Sequence, residues 1–306
     1  MINVSERCSR KYIIVTACKN EGENLPNLIK SLTSQSIKPV LWVIVDDGST
    51  DDTPQILEEA KAKYGWIKSI RLDSTGKRDL GLHLANIVRK GFDIAIEYCK
   101  RNEVEYKYLC ILDADLILEP TFYENIIKEF EKDPKLGIAS GGTRHIVGDK
   151  IVYAELSIDE PSGGHMVIRR ECFEECGGVP LSYACDSVLK AKARLRGWKT
   201  RRFEENVATE IRDVSSAEGY WKGLMHNGRE AYYLNIHPIH VLLKAIRYSL
   251  KRPYYLGIAY LLGYFASFIQ RKRQIGDEEI RQYFWNKWKK HLNFKALRQK
   301  FIQVSR

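Results

Sequence analysis

The chain has 306 residues, 49 Lys plus Arg against 39 Asp plus Glu, seven Cys, and 44% hydrophobic residues. That length fits one large domain, or a domain with an appendage, and the apolar fraction excludes a disordered, collagenous or many-span membrane chain. The cysteines are too sparse and irregular for a disulfide scaffold and include no C-x-x-C pair, so they read as free thiols in a reducing compartment.

The net charge of +10 is unevenly placed. From Pro238 to Arg306 there are 15 Lys/Arg and 3 Asp/Glu, or +12, whereas Met1 to His237 carries 34 and 36, or −2. A basic patch spread over the main domain would point to nucleic acid; a basic tail holding 13 of the 33 aromatics does not. The first seven residues contain no apolar h-region, so no signal peptide and a cytoplasmic chain are expected.

Tyr12 to Thr16 reads as a buried strand, followed by a helical stretch near Leu25 to Leu32. Val40 to Val45 is a second strand, after which Thr53-Pro54 supplies an N-cap and a proline at the first helical position. Ile67 to Leu72 is a third strand, and a long helical pattern from about Asp79 to Lys100 leads to Tyr108 to Leu112. Continuous apolar strands separated by helices predict an α/β, doubly wound and mostly parallel sheet covered on both faces. Beyond it, Ile151 to Leu156 and Met166 to Arg169 read as sheet-edge strands. A helix is expected over Asp186 to Arg196, a short strand near Trp198 to Arg202, and helices beyond Tyr220.

In such sheets ligands bind outside the carboxyl ends of the strands. Asp46-Asp47-Gly48-Ser49-Thr50 ends the second strand, and Asp113-Ala114-Asp115 ends the fourth. Extended backbone turns residues i and i+2 to one side, so Asp113 and Asp115 can face a single ligand. Two carboxylates with open positions suit Mg²⁺ or Mn²⁺, which take their remaining ligands from water and a diphosphate. There is no G-x-G-x-x-G after the first strand and no G-x-x-x-x-G-K-[ST], so dinucleotide and P-loop readings lose their support.

Val15-Thr16-Ala17-Cys18-Lys19-Asn20-Glu21, Val45 to Asp51 and Leu112 to Asp115 come in this order at these strand ends. Together they resemble the family 2 glycosyltransferases of the GT-A fold. The resemblance implies a GT-A domain over residues 1–237. Its nucleotide-sugar half would span about 1–120 and its acceptor half about 121–237, with a helical tail over 238–306. It implies that Ala17 and Glu21 wall the base and ribose and that Asp47 accepts a hydrogen bond from the base. Lys77, Arg78 and Ala114 would lie near the donor, Asp113 would contact ribose or metal, and Asp115 would ligate the metal. Lys19 stands where the family commonly has an aromatic residue.

Asp186, in Tyr183-Ala184-Cys185-Asp186, is similar to the Asp of the family's Glu-Asp motif, with Cys185 in place of the Glu. The resemblance makes Asp186 the catalytic base of an inverting transfer. It also places Gly164 and His165, in Gly163-Gly164-His165-Met166, on the acceptor side. His226 and Arg229, three apart on a helical pattern, share a face and could give a third metal ligand and a diphosphate clamp.

The function implied is metal-assisted transfer of one sugar from a UDP- or GDP-sugar to a hydroxyl of a lipid-linked or cell-surface glycan. A polyprenyl-phosphate glycosyl synthase, or an inactive nucleotide-binding or membrane scaffold, is the alternative. Tyr254 to Gln270 is uncharged but, at ~1.5 Å per residue, short of a ~30 Å hydrocarbon core. With Lys251-Arg252 before it and Arg271-Lys272-Arg273 after, it fits a re-entrant or in-plane helix on an anionic membrane, at the inner face of the cell membrane. A helix pair or homodimer interface is the other reading; no nucleic-acid partner is expected.

Overall fold

The computed structural model describes residues 10–73, 81–147, 150–153, 157–211, 219–250 and 252–292. The chain forms two compact units, Met1–Asp213 and Val214–Arg306. The division therefore falls ahead of the helix beginning at Tyr220, whereas the sequence reading put it after His237.

In the first unit, strand β1 (Tyr12–Cys18) leads to helix α1 (Leu25–Thr33), β2 (Leu41–Asp46) to α2 (Thr53–Lys63), and β3 (Ile67–Arg71) to α3 (Leu82–Arg101). Then come β4 (Tyr108–Leu112), β5 (Leu116–Leu118), α4 (Phe122–Lys132), β6 (Leu136–Val147), β7 (Lys150–Tyr153) and β8 (His165–Arg169). Helices α5 (Arg170–Glu175) and α6 (Cys185–Leu195) and strand β9 (Lys199–Glu210) complete it.

One mixed sheet runs β3-β2-β1-β4-β8-β6-β9-β5, with β7 paired to β6. The strands β3, β2, β1 and β4 are parallel, which matches the expected doubly wound half. The physical reason is visible in β1 and β2. Ile14, Trp42 and Ile44 join the core on one face, while Ile13, Val15, Val43 and Val45 join the core on the other. Strands apolar on both faces need helices on both sides.

The half that follows β4 was less legible in the sequence. β9 extends to Glu210, well past the short strand expected near Arg202, and pairs in parallel with β6 through a register shift at Gly141/Gly142. The polar and small residues Ser140-Gly141-Gly142-Thr143 hide β6 from hydrophobic patterning. β7 covers Lys150–Tyr153, and residues 154–156 of the expected strand lie outside the described residues.

The second unit is helical: α7 (Tyr220–Tyr233), α8 (Pro238–Ser249), α9 (Leu256–Ile269) and α10 (Glu278–Trp285). α7 and α9 touch backbone to backbone. A side chain at Gly228 would strike the Tyr260 carbonyl and one at Gly263 the Met225 carbonyl, so glycine permits the approach. α9 buries Ala259, Tyr260, Tyr264 and Ser267 and leaves its other face outward. Among the described residues no helix is long and apolar enough to cross a membrane.

Candidate active site

The carboxyl ends of β1 and β2 are stitched together by side chains of the two following loops. Asn20 N donates to Ser49 Oγ, Glu21 N to Thr53 Oγ1 and Gly22 N to Asp51 Oδ2, all at 2.8–2.9 Å. Thr50 N donates back to Asn20 Oδ1 at 2.8 Å. Asn20 takes a φ of 54°, a left-handed conformation that Asn tolerates better than most residues. Burial works to raise the Asp51 carboxyl, and hydrogen bonds from Thr53 and Gly22 override it, holding Asp51 below the usual carboxylate range.

Glu21 is 1% exposed, and its Oε2 accepts from Asn24 Nδ2 at 2.7 Å. It does not wall an open pocket as expected, because its backbone carbonyl and carboxylate are spent organising the start of α1. Ala17 is half-buried near the end of β1, paired in register with Val45 of β2.

Asp46 and Asp47 divide the work at the end of β2. Asp46 Oδ1 accepts from Ser49 N at 2.9 Å and forms the turn, with Arg71 Nη1 3.6 Å from its other oxygen. Asp47 points instead to Lys19 and His83: Lys19 Nζ lies 3.3 Å from Asp47 Oδ2, and His83 Nε2 lies 2.8 Å from Asp47 Oδ1. Lys19 therefore has a position of its own, donating to the Asp47 carbonyl as well. His83, in the first turn of α3, was missed in the sequence; a lone His near a helix start carries no signal until the helix is laid across the strand ends. Lys77 and Arg78 lie outside the described residues.

β4 ends at Leu112, and Asp113 N donates to the Gly164 carbonyl at 2.7 Å. Ala114 is buried, whereas Asp113 is exposed and Asp115 half-buried, so both carboxylates turn away from the core. Among the described residues no three His, Cys, Asp or Glu side chains gather closely enough to hold a metal by themselves. Two hard oxygen donors fit Mn²⁺ or Mg²⁺ when the remaining ligands come from water and a diphosphate.

Beside Asp115, burial lowers His145 while the Asp115 charge acts to raise it, and His145 Nδ1 sits 3.3 Å from Glu210 Oε2. Asp115 O accepts from Ile211 N at 2.9 Å. The His145–Glu210 pair was not foreseen, because it depends on the β6–β9 register.

Gly163 and Gly164 lie between two carboxylates from distant parts of the chain. A Cβ on Gly164 would stand 2.6 Å from Asp113 Oδ2, and one on Gly163 2.9 Å from Asp186 Oδ2. The dipeptide is glycine because a side chain at either place would push a carboxylate aside. Asp186 lies in the first turn of α6, preceded by Ala184 at φ 50° and ψ 48°. A left-handed alanine costs on the order of 1 kcal/mol and sets the angle at which α6 leaves the loop.

Asp186 Oδ2 accepts from Lys190 Nζ at 2.9 Å, and Lys190, itself buried, also donates to the Pro161 carbonyl at 3.0 Å. Burial works to raise the Asp186 carboxyl, but the Lys190 ammonium and the Ser187 N–H prevail and hold it below the usual range. The group is an ionised carboxylate with a third of its side chain exposed.

His165 does not line an open acceptor surface. The residue is 2% exposed, its Nε2 donates to the Gly141 carbonyl (3.1 Å), and its ring stands edge-on to Phe122. Burial first, with the Arg202 charge adding, pushes it down to about 4, so it is neutral at ordinary pH. It is a core group between β4 and β6. In the second unit, His226 Nε2 lies 3.1 Å from Glu230 Oε1 on α7, and Arg229 is exposed one helical turn along.

A mixed sheet whose parallel half presents acidic loops at its strand ends is the architecture of GT-A glycosyltransferases, and solved structures agree. A mannosyltransferase from Pyrobaculum calidifontis, determined with GDP-Man and Mn²⁺, superposes with a TM-score of 0.54 at 18% identity, covering 85% of this chain and 74% of its own. Staphylococcus aureus TarS 1-349 with UDP-GlcNAc superposes at 0.51 with 15% identity, over 86% of this chain and 76% of that one. These likenesses concern the fold.

The family model for glycosyl transferase family 2 matches residues 13–171, and the chain belongs to that family. Poly-beta-1,6-N-acetyl-D-glucosamine synthase of Staphylococcus epidermidis is 30% identical over 129 residues, 42% of this chain. The match spans about a quarter (27%) of that relative's length.

Proposed function

We propose that the chain is an inverting glycosyltransferase. It would move one sugar from a UDP- or GDP-sugar to a hydroxyl of a lipid-linked or cell-surface glycan acceptor. The observation that carries this reading is the convergence of Asp113 and Asp186 on Gly163-Gly164 within a family 2 fold. The relatives' donors, GDP-Man and UDP-GlcNAc, and the Mn²⁺ beside one of them, support the donor class and the metal.

In this reading Asp115, with Asp113, holds Mn²⁺ or Mg²⁺. When bound, the cation would offset the charge that grows on the leaving diphosphate. Asp186 accepts the proton of the acceptor hydroxyl as its oxygen bonds to the anomeric carbon and the bond to the diphosphate breaks. That division of labour parallels inverting glycoside hydrolysis, with the acceptor in place of water. Lys190 is a positioning residue: it keeps Asp186 ionised and fixes one of its oxygens, leaving the other for the acceptor. Asp47, backed by Lys19 and His83, receives the base. Arg229 and His226, on a unit of their own, are assigned to the diphosphate and metal only by their spacing on one helix face.

The basic second unit supports work at an anionic membrane surface, at the inner face of the cell membrane where nucleotide-sugars are made. The deciding experiment is transfer from UDP- and GDP-sugars by Asp186→Asn. Near-total loss with donor binding retained supports a hydroxyl acceptor and a carboxylate base. Retained transfer points to a phosphate acceptor, which needs no strong base. No transfer or donor hydrolysis by the unaltered protein, with or without Mn²⁺, would leave only a scaffold.

A further inference from the structure

Two helices of the second unit turn apolar residues outward that their own packing leaves uncovered. α8 directs Val241 and Ala245 inward, while Leu242, Leu243 and Ile246 face out. α9 directs Tyr260, Gly263 and Tyr264 inward, while Ile258, Leu262 and Phe265 face out. These six side chains are 47–55% exposed and recur at spacings of three and four, so each helix carries a continuous outer stripe. The helices belong to one packed pair, since a side chain at Gly257 of α9 would strike the Ala245 carbonyl of α8.

The segment that carries these stripes has charge of one sign as far as Gly276, ahead of Asp277-Glu278-Glu279. Pro238 to Gly276 contains seven Lys/Arg and no Asp or Glu, and Arg247, Arg252, Arg271, Lys272 and Arg273 are exposed. A second copy docking through this face would bring exposed cations such as Arg247 and Arg252 against their own copies, whereas anionic lipid headgroups neutralise them. α9 has 14 residues, or ~21 Å at 1.5 Å per residue, too short for a ~30 Å hydrocarbon core. Cations lie at both of its ends, the arrangement of a helix lying in the interface plane.

We propose that α8 and α9 together form a membrane-docking face whose occupant is an anionic lipid surface, with both stripes set among the headgroups and neither helix crossing. The proposal deepens the membrane placement given above, and α8 is an equal half of the face although the sequence drew attention to the α9 segment.

The test is co-sedimentation of the full chain with phosphatidylglycerol/phosphatidylcholine vesicles and with pure phosphatidylcholine vesicles. Binding is expected to the anionic vesicles and to be weaker by about tenfold or more on the neutral ones. The pair Leu242→Glu/Ile246→Glu in α8 is expected to cost about tenfold or more, and Leu262→Glu/Phe265→Glu in α9 a similar factor. The substituted side chains are about half exposed, so the thermal midpoint should hold within a few degrees, which shows that the fold survives. Unchanged binding by the α8 pair, or no binding by the unaltered protein, overturns the proposal. A dimer in sedimentation equilibrium that the α8 pair dissociates overturns it too, in favour of a second copy. Vesicle binding needs neither donor nor acceptor, so its failure and a failure of the transfer reading are separate results.

Discussion

Asp113, at the end of β4, and Asp186, at the start of α6, meet the two residues of one dipeptide, Gly164 and Gly163. Their separation in sequence is large, and the glycines are what let both carboxylates approach. Gly164→Ala and Gly163→Ala should each cost about 1–3 kcal/mol of stability from overpacking. Transfer should fall much further than folding, since each methyl displaces a carboxylate. Denaturant melts beside transfer assays check this; a stability loss with normal specific activity would contradict the placement.

The pairing of Asp186 with Lys190 makes a pH prediction. In Lys190→Met only the Ser187 N–H still opposes burial, so the Asp186 carboxyl rises and the acid limb of kcat/KM moves to higher pH. An unmoved limb would show that Asp186 is not the group that titrates. In the unaltered protein the lowered carboxyl binds fewer protons folded than unfolded just below its ordinary value of 3.8. Its contribution to stability is therefore full above that pH and fades as pH falls through the lowered value. Asp186→Asn itself should reduce transfer about 10²–10⁴-fold, the usual range for a lost general base.

Asp115→Ala should remove a charge-stabilising contribution of several kcal/mol, about two to three orders of magnitude in rate. Thermal shift gives an independent reading. Mn²⁺ with UDP or GDP should raise the melting temperature of the unaltered protein, because a ligand that binds only the folded state stabilises it. In Asp115→Ala the Mn²⁺-dependent part of that rise should vanish; an equal rise would place the cation elsewhere.

His165 is held neutral by burial, with a value of about 4 against 6.5 for a free imidazole. The folded state thus binds fewer protons than the unfolded chain between those values. Stability is full above pH 6.5 and is lost as pH falls toward 4. The loss is on the order of 3 kcal/mol. His165→Asn, which can still donate to the Gly141 carbonyl, should flatten this part of the pH–stability curve measured by urea unfolding.

Asp47 with Lys19 and His83 predicts a nucleotide effect separate from chemistry. His83→Ala and Lys19→Met should weaken UDP or GDP binding by roughly threefold to tenfold, the scale of one hydrogen bond. The binding-independent rate of the saturated enzyme should hold. Calorimetric titration checks the first and saturating-donor kinetics the second.

What the sequence determined by itself is the parallel half and its acidic strand ends. Runs such as Tyr12 to Val15 and Leu41 to Val45 are hydrophobic at every position, and only a sheet covered on both faces buries them. The acidic loops that hold Asp47, Asp113 and Asp115 follow strands that were legible in one dimension. The tertiary structure decided what depends on register and close approach: His83 laid over Asp47, His145 and Glu210 set beside Asp115 by β6 and β9, and Lys190 turned onto Asp186. It also withdrew two residues from the surface. Glu21 and His165 sit in polar motifs that read as open, yet the turn at α1 and the β4–β8–β6 sheet bury them. Local sequence carries hydrophobic period and turn chemistry, both short-range. Which side chains meet is set by pairings tens of residues apart, such as His145 with Glu210, and these exist only once the sheet closes.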